Sequence, residues 1–431
     1  MAFLEELEWR GLLHQTTAGE QLERHLSEPG RVGYCGFDPT ADSLTIANFI
    51  PIKLLMHWQQ AGHRPLVIMG GGTGLIGDPS GKDAERQLQS REQVEANIAG
   101  QRPIFERLLD FDAKNPRAAV ILNNADWLGE LGFLEVLRDI GKHFSVNAMI
   151  QKDSVRERLN NREQGISYTE FSYMLLQAYD FLHLYRTRGC AVQLAGSDQY
   201  GNIVSGIDLI RRLQGEGSTE PRAFGITNPL ITRADGKKIG KSEKDAVWLT
   251  ADRTSTYAFY QYWINVDDAD VGSFLRWFTF IEREEIEQIE REHAVSPEKR
   301  QAQQELARQM TRLIHGQEQL DRAEAASRAL FTGEVQALSE QMLAEVIADV
   351  PHSAQDRSQL GGEGIPLVEL LPRIGLAKSK SEARHFLSTG AVAVNGEKAA
   401  ADRRLTSADL LHDRTILIKR GRKSWHATEW G

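Results

Sequence analysis

Residues 31–74 read RVGYCGFDPTADSLTIANFIPIKLLMHWQQAGHRPLVIMGGGTG. Positions 31–37 form a short, largely apolar run of strand character. Positions 43–61 then carry apolar residues at helical spacing, and the apolar run 65–69 ends in a glycine cluster at 70–74. A strand, a helix and a second strand in so short a span make a crossover unit of the parallel-sheet type. The expected fold class is therefore α/β, built on a parallel sheet.

Outward from this unit, 118–122 and 191–194 supply further buried-strand candidates, and 91–109 and 130–140 read as helices. Positions 248–250 close the α/β part. From 256 to about 350 the pattern is almost wholly helical and rich in Glu, Gln and Arg, which reads as a separate all-α domain. The stretch 353–364 holds Gly361, Gly362 and Gly364 among polar residues, the chemistry of a linker. Beyond it, 366–374 and 379–388 read as helices, and 391–394 alternates before Asn395-Gly396, the dipeptide that most favours a tight hairpin turn. The expected division is 1–250, 251–352, a linker at 353–364, and a small α+β domain at 365–431.

At 431 residues the chain exceeds one ordinary core, and 41% hydrophobic with 26% charged residues is the balance of packed globular protein. Disordered and fibrous classes are excluded. Cys35 and Cys190 stand in no metal-binding or disulfide spacing, so no metal site is expected and a reducing compartment fits. Glu5, Glu6 and Glu8 occupy the region where a leader would be basic, and no apolar run reaches membrane-spanning length. The expectation is a cytoplasmic protein without membrane contact. The net charge of −9 is unevenly distributed: from Arg373 to Gly431 there are 12 Lys+Arg and 6 Asp+Glu, giving +6. A basic tail on an acidic body suggests a local polyanion-binding patch, although a solvated basic surface explains the charge equally well.

Five segments carry chemistry. The first, YCGFDPTADS at 34–43, runs from a strand end toward a helix N-terminus, where unpaired N–H groups suit phosphate; Ser43 can equally be an ordinary N-cap. The second, GGGTGLIGDPSGK at 70–82, is neither a Walker loop nor a dinucleotide fingerprint and by itself indicates a turn or binding loop. In the third, YTEFSYMLLQAYDF at 168–181, Tyr173, Gln177 and Asp180 share one helical face among apolar neighbours, so the stripe is buried and needs partners, from a ligand or from an internal network. The fourth, QLAGSDQYGN at 193–202, puts Asp198 at a strand–helix crest, a position for ribose hydroxyls or for a plain cap. The fifth, DGKKIGKS at 235–242, offers mobile lysines suited to a phosphoryl centre, or a solvated basic loop.

Taken in order along one chain, YCGFDPTADS, GLIGDPSGK, TEFSYMLLQAYDF, GSDQYGN and KIGKS resemble the tyrosyl-tRNA synthetases of bacterial type. The last segment is similar to the KMSKS loop of class I synthetases, and the tail is similar to their S4-like RNA-binding module. The resemblance implies a Rossmann-like catalytic domain, an all-α domain and an S4-like domain. It implies an enzyme that activates L-tyrosine with ATP, with Mg²⁺ accompanying the nucleotide, and transfers tyrosyl to the 3′-terminal adenosine of tRNA(Tyr). A homodimer is implied too. By the same resemblance Tyr34 and Asp180 would bind the phenolic hydroxyl, and Asp78, Tyr173 and Gln177 the ammonium group. Gln199 would lie near the carboxylate. Asp198 and Gly196 would hold the ribose beside Cys35, Gly36 and Asp38. Thr40, Lys82, Arg86, Lys238, Lys241 and Ser242 would surround the triphosphate, and Lys378, Lys380 and Arg384 would contact RNA.

One segment departs from the pattern. Where the family carries His-x-Gly-His, this chain reads Thr45-Ile46-Ala47-Asn48. An amide at Asn48 still donates a hydrogen bond, but Thr45 replaces a ring donor that can be cationic, and Ala47 adds a methyl where backbone should approach the nucleotide. Tyr200 in place of the usual Trp is milder. The expectation is an active enzyme with reduced activation rate; the alternative is an attenuated or engineered homologue retaining tyrosine, ATP or RNA binding. Tryptophan activation is disfavoured because Tyr34 and Asp180 make a polar pocket end.

Overall fold

The computed structural model describes residues 2–78, 88–152, 155–156, 159, 165–213, 222–237, 239, 246–421 and 424–431. Its chain divides into two compact units, Met1–Arg253 with Asp267–Ala302, and Thr254–Val266 with Gln303–Gly431.

In the first unit β1 (Gln15–Thr16), β2 (Val32–Phe37), β3 (Arg64–Met69), β4 (Val120–Asn123), β5 (Cys190–Gly196) and β6 (Phe224–Asn228) form one sheet in the order β1-β6-β5-β2-β3-β4. All neighbours pair in parallel except the short β1, which runs antiparallel to β6. β2 and β3 pair in parallel, as the opening stretch predicts, in register from Val32 opposite Arg64 to Phe37 opposite Met69. Both are nearly continuous apolar runs because helices cover the sheet. One core joins Tyr34, Leu66 and Ile68 of the strands to Ala178, Phe181, Leu182 and Leu184 of the helix Tyr168–Arg188 and to Leu209 and Ile210 of the helix Tyr200–Leu213.

The crossover helix is Ile46–Gln60, three residues shorter at its start than the expected 43–61. Thr45 is its N-cap, and Ile46 N donates to the carbonyl of Val247 at 2.9 Å. Within this apolar helix Lys53 is fully buried; its ammonium donates to the carbonyls of Arg276, at 3.0 Å, and Thr279. Burial holds its pKa well below the ordinary lysine range. These carbonyl bonds anchor the helix to a segment more than two hundred residues away.

The second unit has a five-stranded sheet in the order β10-β9-β12-β13-β7, made of β7 (His352–Gln355), β9 (Val392–Val394), β10 (Glu397–Lys398), β12 (Thr415–Arg420) and β13 (Ser424–Trp430), while β8 (Ile365–Pro366) pairs with β11 (Arg404–Leu405). Both residues of the β9–β10 turn have positive φ, 47° at Asn395 and 89° at Gly396, the geometry that Asn-Gly favours. Alternation along β12 buries both faces. Ile416 and Ile418 enter a core with Leu367, Leu370 and Leu387, and Leu417 joins Trp425 and Ala427 against Ala326, Leu330 and Val346.

Two expected boundaries differ from this arrangement. The stretch 353–364 is not a free linker: β7 pairs in parallel with β13, and Leu360 is buried in the first of those cores. The stretch 251–352 is not one helical body, since its residues 267–302 belong to the first unit and its later helices share a core with the C-terminal sheet. Glycine-rich composition suggested a linker, but strand pairing with a segment seventy residues on is invisible locally.

Candidate functional site

A cavity of about 890 Å³ opens at the carboxyl ends of β2, β3 and β5. It lies where the strand order turns outward in both directions from β2, the crevice in which parallel α/β sheets place ligands. β2 contributes Tyr34, Cys35 and Gly36, β3 contributes Ile68, and β5 contributes Gln193, Ala195 and Gly196.

At the closed end Tyr34 is buried, and its hydroxyl has no hydrogen-bond partner among the described residues. Asp180 stands beside it, fully buried, and accepts from Asn124 Nδ2 at 2.9 Å and from Trp127 Nε1 at 2.7 Å. Burial pushes its carboxyl up to about 7, with these two donors opposing the rise and the charge of Asp38 adding to it. Burial, with the Asp180 charge adding, likewise raises the Tyr34 phenol well above its ordinary range.

The middle of the cavity is a connected polar network. Asp38 accepts from Tyr173 Oη at 2.9 Å and Thr73 Oγ1 at 2.8 Å, and Asn124 Nδ2 also reaches Thr73 Oγ1 at 3.0 Å. On the opposite side Gln199 Nε2 donates to Asp78 at 2.6 Å and lies 3.3 Å from Asp198, while Asn202 Nδ2 donates to Gln177 and Gln199, both at 3.0 Å. Tyr173 directs its proton at Asp38, so its oxygen remains able to accept. Gly70 is required by contact rather than by ligand approach: a Cβ there would lie 2.2 Å from Asp38 Oδ1. At Gly36 the opposite holds, since a Cβ would meet nothing within 4 Å. The Cys35 thiol is buried and pushed up to about 12, which removes it as a nucleophile.

The open end is bounded by Thr40, Thr45, Ala47 and Asn48. Thr45 and Asn48 form a capping box: Asn48 Oδ1 accepts from Thr45 N at 3.0 Å and from Thr45 Oγ1 at 2.8 Å. The Thr45 hydroxyl proton is thus directed at Asn48. Helix Arg91–Leu108 backs the neighbouring loop, with Asn97 Nδ2 on Pro39 O and Gln101 Nε2 on Ala41 O, each at 2.8 Å.

Fourteen of the expected site residues line this one cavity: Tyr34, Cys35, Gly36, Asp38, Thr40, Thr45, Asn48, Asp78, Tyr173, Gln177, Asp180, Gly196, Asp198 and Gln199. Lys82, Arg86, Lys238, Lys241 and Ser242 lie outside the described residues. Lys378, Lys380 and Arg384 belong to the second unit, exposed on or beside the helix Lys380–Ser388, with Lys380 paired to Glu369 at 2.7 Å. Sequence reasoning missed Asn124, Trp127, Asn202 and Arg253. Asn124 follows directly on a strand and was findable as a polar strand end, and Asn202 closes the quoted 193–202 segment three residues after Gln199; Trp127 and Arg253 reach the site through contacts distant in sequence.

Residues 29–332 match the family model of class I tRNA synthetases for tryptophan and tyrosine, and residues 343–428 match that of the tyrosine–tRNA ligase C-terminal domain. The chain belongs to the bacterial-type tyrosyl-tRNA synthetases. It is 50% identical over 428 residues to a tyrosine–tRNA ligase of Geobacillus kaustophilus, covering 99% of both chains. A second such ligase, from Roseiflexus castenholzii, is 49% identical over 424 residues, with 98% of each chain covered. Among solved structures, a C-terminally truncated mitochondrial tyrosyl-tRNA synthetase of Aspergillus nidulans superposes with a TM-score of 0.68 at 31% identity, over 77% of this chain and 94% of that one. Tyrosyl-tRNA synthetases are aminoacyl-tRNA synthetases with tyrosine–tRNA ligase activity, and membership carries that function to this chain.

Proposed function

We propose that the cavity forms tyrosyl-adenylate and that its closed end selects the amino acid. The supporting observation is the orphaned, buried Tyr34 hydroxyl beside Asp180, whose other partners are both donors. A phenol seated there accepts from Tyr34 and donates to ionised Asp180, whereas a phenyl ring leaves both unmatched. Asp78, Tyr173 and Gln177 hold the ammonium group, with Gln199 near the carboxylate. Asp198 and Gly196 bind the ribose beside Cys35, Gly36 and Asp38, the open space at Gly36 admitting the nucleotide. Thr40, Lys82, Arg86, Lys238, Lys241 and Ser242 surround the triphosphate, with Thr45 and Asn48 at its edge.

A tyrosine carboxylate oxygen attacks the α-phosphorus, the bond to the bridging oxygen breaks, and pyrophosphate leaves. The terminal ribose hydroxyl of tRNA then attacks the acyl carbon and AMP leaves. The protein contributes alignment and donors and needs no covalent intermediate. Mg²⁺ accompanying ATP would neutralise phosphate charge. Among the described residues no group of three or more His, Cys, Asp or Glu is arranged to hold a metal.

Lys378, Lys380 and Arg384 contact the phosphates of tRNA(Tyr), supported by their exposure and by the +6 balance of residues 373–431. A homodimer is supported by the exposed Phe133, Leu134, Leu137, Val146, Ile150 and Tyr168, apolar side chains that a second copy would cover. A cytoplasmic location fits the two buried, unpaired cysteines. Among the described residues no helix is long and apolar enough to cross a membrane.

The test is pyrophosphate exchange with tyrosine, phenylalanine and tryptophan, followed by tRNA charging. Exchange with tyrosine alone is the expected outcome; exchange without discrimination removes the assignment of Tyr34 and Asp180. An attenuated enzyme is the second reading, favoured by the closed Thr45–Asn48 capping box, and a slow but tyrosine-specific exchange would reveal it.

A further inference from the structure

Charge along this cavity is one-sided. The described lining, taken from closed end to open end, carries four aspartates, Asp38, Asp78, Asp180 and Asp198, and Arg253 is the sole Lys, Arg or His among the described lining residues. An anionic nucleotide entering such a site gains from any cation fixed near its phosphates. Thr45 and Asn48 supply no charge, and their donor and acceptor face each other.

Arg253 is held next to them. Trp248 is bridged to Thr45 in antiparallel fashion, and the Arg253 guanidinium lies over the Trp248 ring with its central carbon 5.2 Å from the centroid. Asp42 fixes it from the other side: Nε donates to Oδ1 at 2.8 Å, and Nη2 lies 2.6 Å from the same oxygen. The loop is braced further by Thr250 Oγ1 on Ser43 Oγ at 2.8 Å and Leu249 N on Leu44 O at 2.8 Å. The side chain remains 45% exposed, so the planar fork is oriented by its two neighbours without being buried by them.

We propose that Arg253 contacts the β- and γ-phosphates of ATP and supplies the cationic donor that the Thr45-Ile46-Ala47-Asn48 segment lacks. This rests on the reading that the open end of the cavity takes the triphosphate. Arg253 accordingly acts on ATP binding and on the departing pyrophosphate, and leaves tyrosine recognition to the closed end.

Single-turnover adenylate formation and the KM values for ATP and tyrosine test this in Arg253→Gln and Arg253→Lys, each made in the natural chain and in Thr45→His/Ala47→Gly/Asn48→His. Arg253→Gln should slow adenylate formation and raise the KM for ATP by about 10- to 100-fold combined, the range for losing a hydrogen bond to a charged group. The KM for tyrosine and the melting temperature should stay unchanged, and Arg253→Lys should recover part of the loss. In the histidine-bearing background the loss should shrink to about threefold, because a second cation then shares the phosphates. An equal loss in both backgrounds, a parallel rise in the KM for tyrosine, or no loss at all would overturn the proposal. Failure of the underlying reading looks different: the unsubstituted chain would then form no tyrosyl-adenylate.

Discussion

The two ends of the cavity are built on opposite principles. The closed end, proposed for tyrosine, lies on β2 and the Tyr168–Arg188 helix, buried, with Asp180 held by Asn124 and Trp127. The open end, proposed for the triphosphate, lies on loops and on a helix cap in which the Thr45 hydroxyl donates to the Asn48 amide oxygen. On the proposed reading, recognition falls to the packed scaffold, where an unmatched group is costly, and rate to donors at the rim. Substitutions at the two ends should separate cleanly into effects on substrate choice and effects on speed.

The largest separation should come from Asp180→Ala. Losing one charge-assisted partner costs about 3 kcal/mol, on the order of 10²-fold in kcat/KM for tyrosine, with little change for phenylalanine. Discrimination of about 10⁵ between the two amino acids is an established property of this enzyme class. Parallel kinetics with the two amino acids would show an unchanged ratio if Asp180 were outside the pocket.

Next in size is Thr45→His/Ala47→Gly/Asn48→His, which opens the capping box and adds a ring donor. Adenylate formation should accelerate by up to about 10²-fold, the usual worth of one well-placed donor to a developing charge, with the KM for tyrosine unmoved. Rapid-quench measurement at saturating ATP decides the matter, and equal rates would mean that the segment is already compensated.

A third test uses pH. Asp180 titrates near 7, above its unfolded value near 4, so the folded protein holds this proton more tightly and stability should decline as pH rises from about 4 to about 7. Tyrosine binding should move the other way, since ionised Asp180 accepts the phenol. The kcat/KM for tyrosine should climb about tenfold per unit below pH 7 and level off above it. Asp180→Asn should flatten both profiles, and a profile identical to that of the natural chain would show that another group titrates.

The smallest effect is expected from Asn124→Ala. It removes a donor that favours ionised Asp180, so the inflection in tyrosine kcat/KM should shift upward by about one pH unit, with an activity loss of a few-fold near neutrality. An unshifted inflection would detach Asn124 from control of Asp180.

Much of this was legible in advance, and what was missed has common causes. The β2–helix–β3 unit announced itself through apolar runs bounded by turn residues, and Tyr173, Gln177 and Asp180 through helical spacing. β6 was missed because FGITN is short and carries Gly225 and Asn228, both poor strand formers. Trp127 carries no local signal of a site; only the fold brings its indole to Asp180, 53 positions away. The helix start was misplaced at Ser43 although Thr45-x-x-Asn48 carries a capping signature, because Ser43 is an equally good cap residue by type. Gly364 and its neighbours signalled a linker through composition, and nothing local reveals that β7 awaits a parallel partner at Ala427–Trp430.

The discontinuity of the two units has a consequence for the order of synthesis. The helix Thr256–Ile264 emerges in the middle of the first unit but belongs to the second, where it packs on the helices Gln317–Thr332 and Glu340–Asp349. Its apolar side chains, Tyr257, Phe259, Tyr260 and Trp263, are all buried in the finished protein. On the ribosome they wait uncovered until those helices have been made, on the order of ten seconds at ordinary elongation rates. Meanwhile the first unit, complete once Ala302 has emerged, can close around its cavity. The nascent chain thus acquires its cavity while still carrying an aromatic segment open to chaperones or to a neighbouring polysome product.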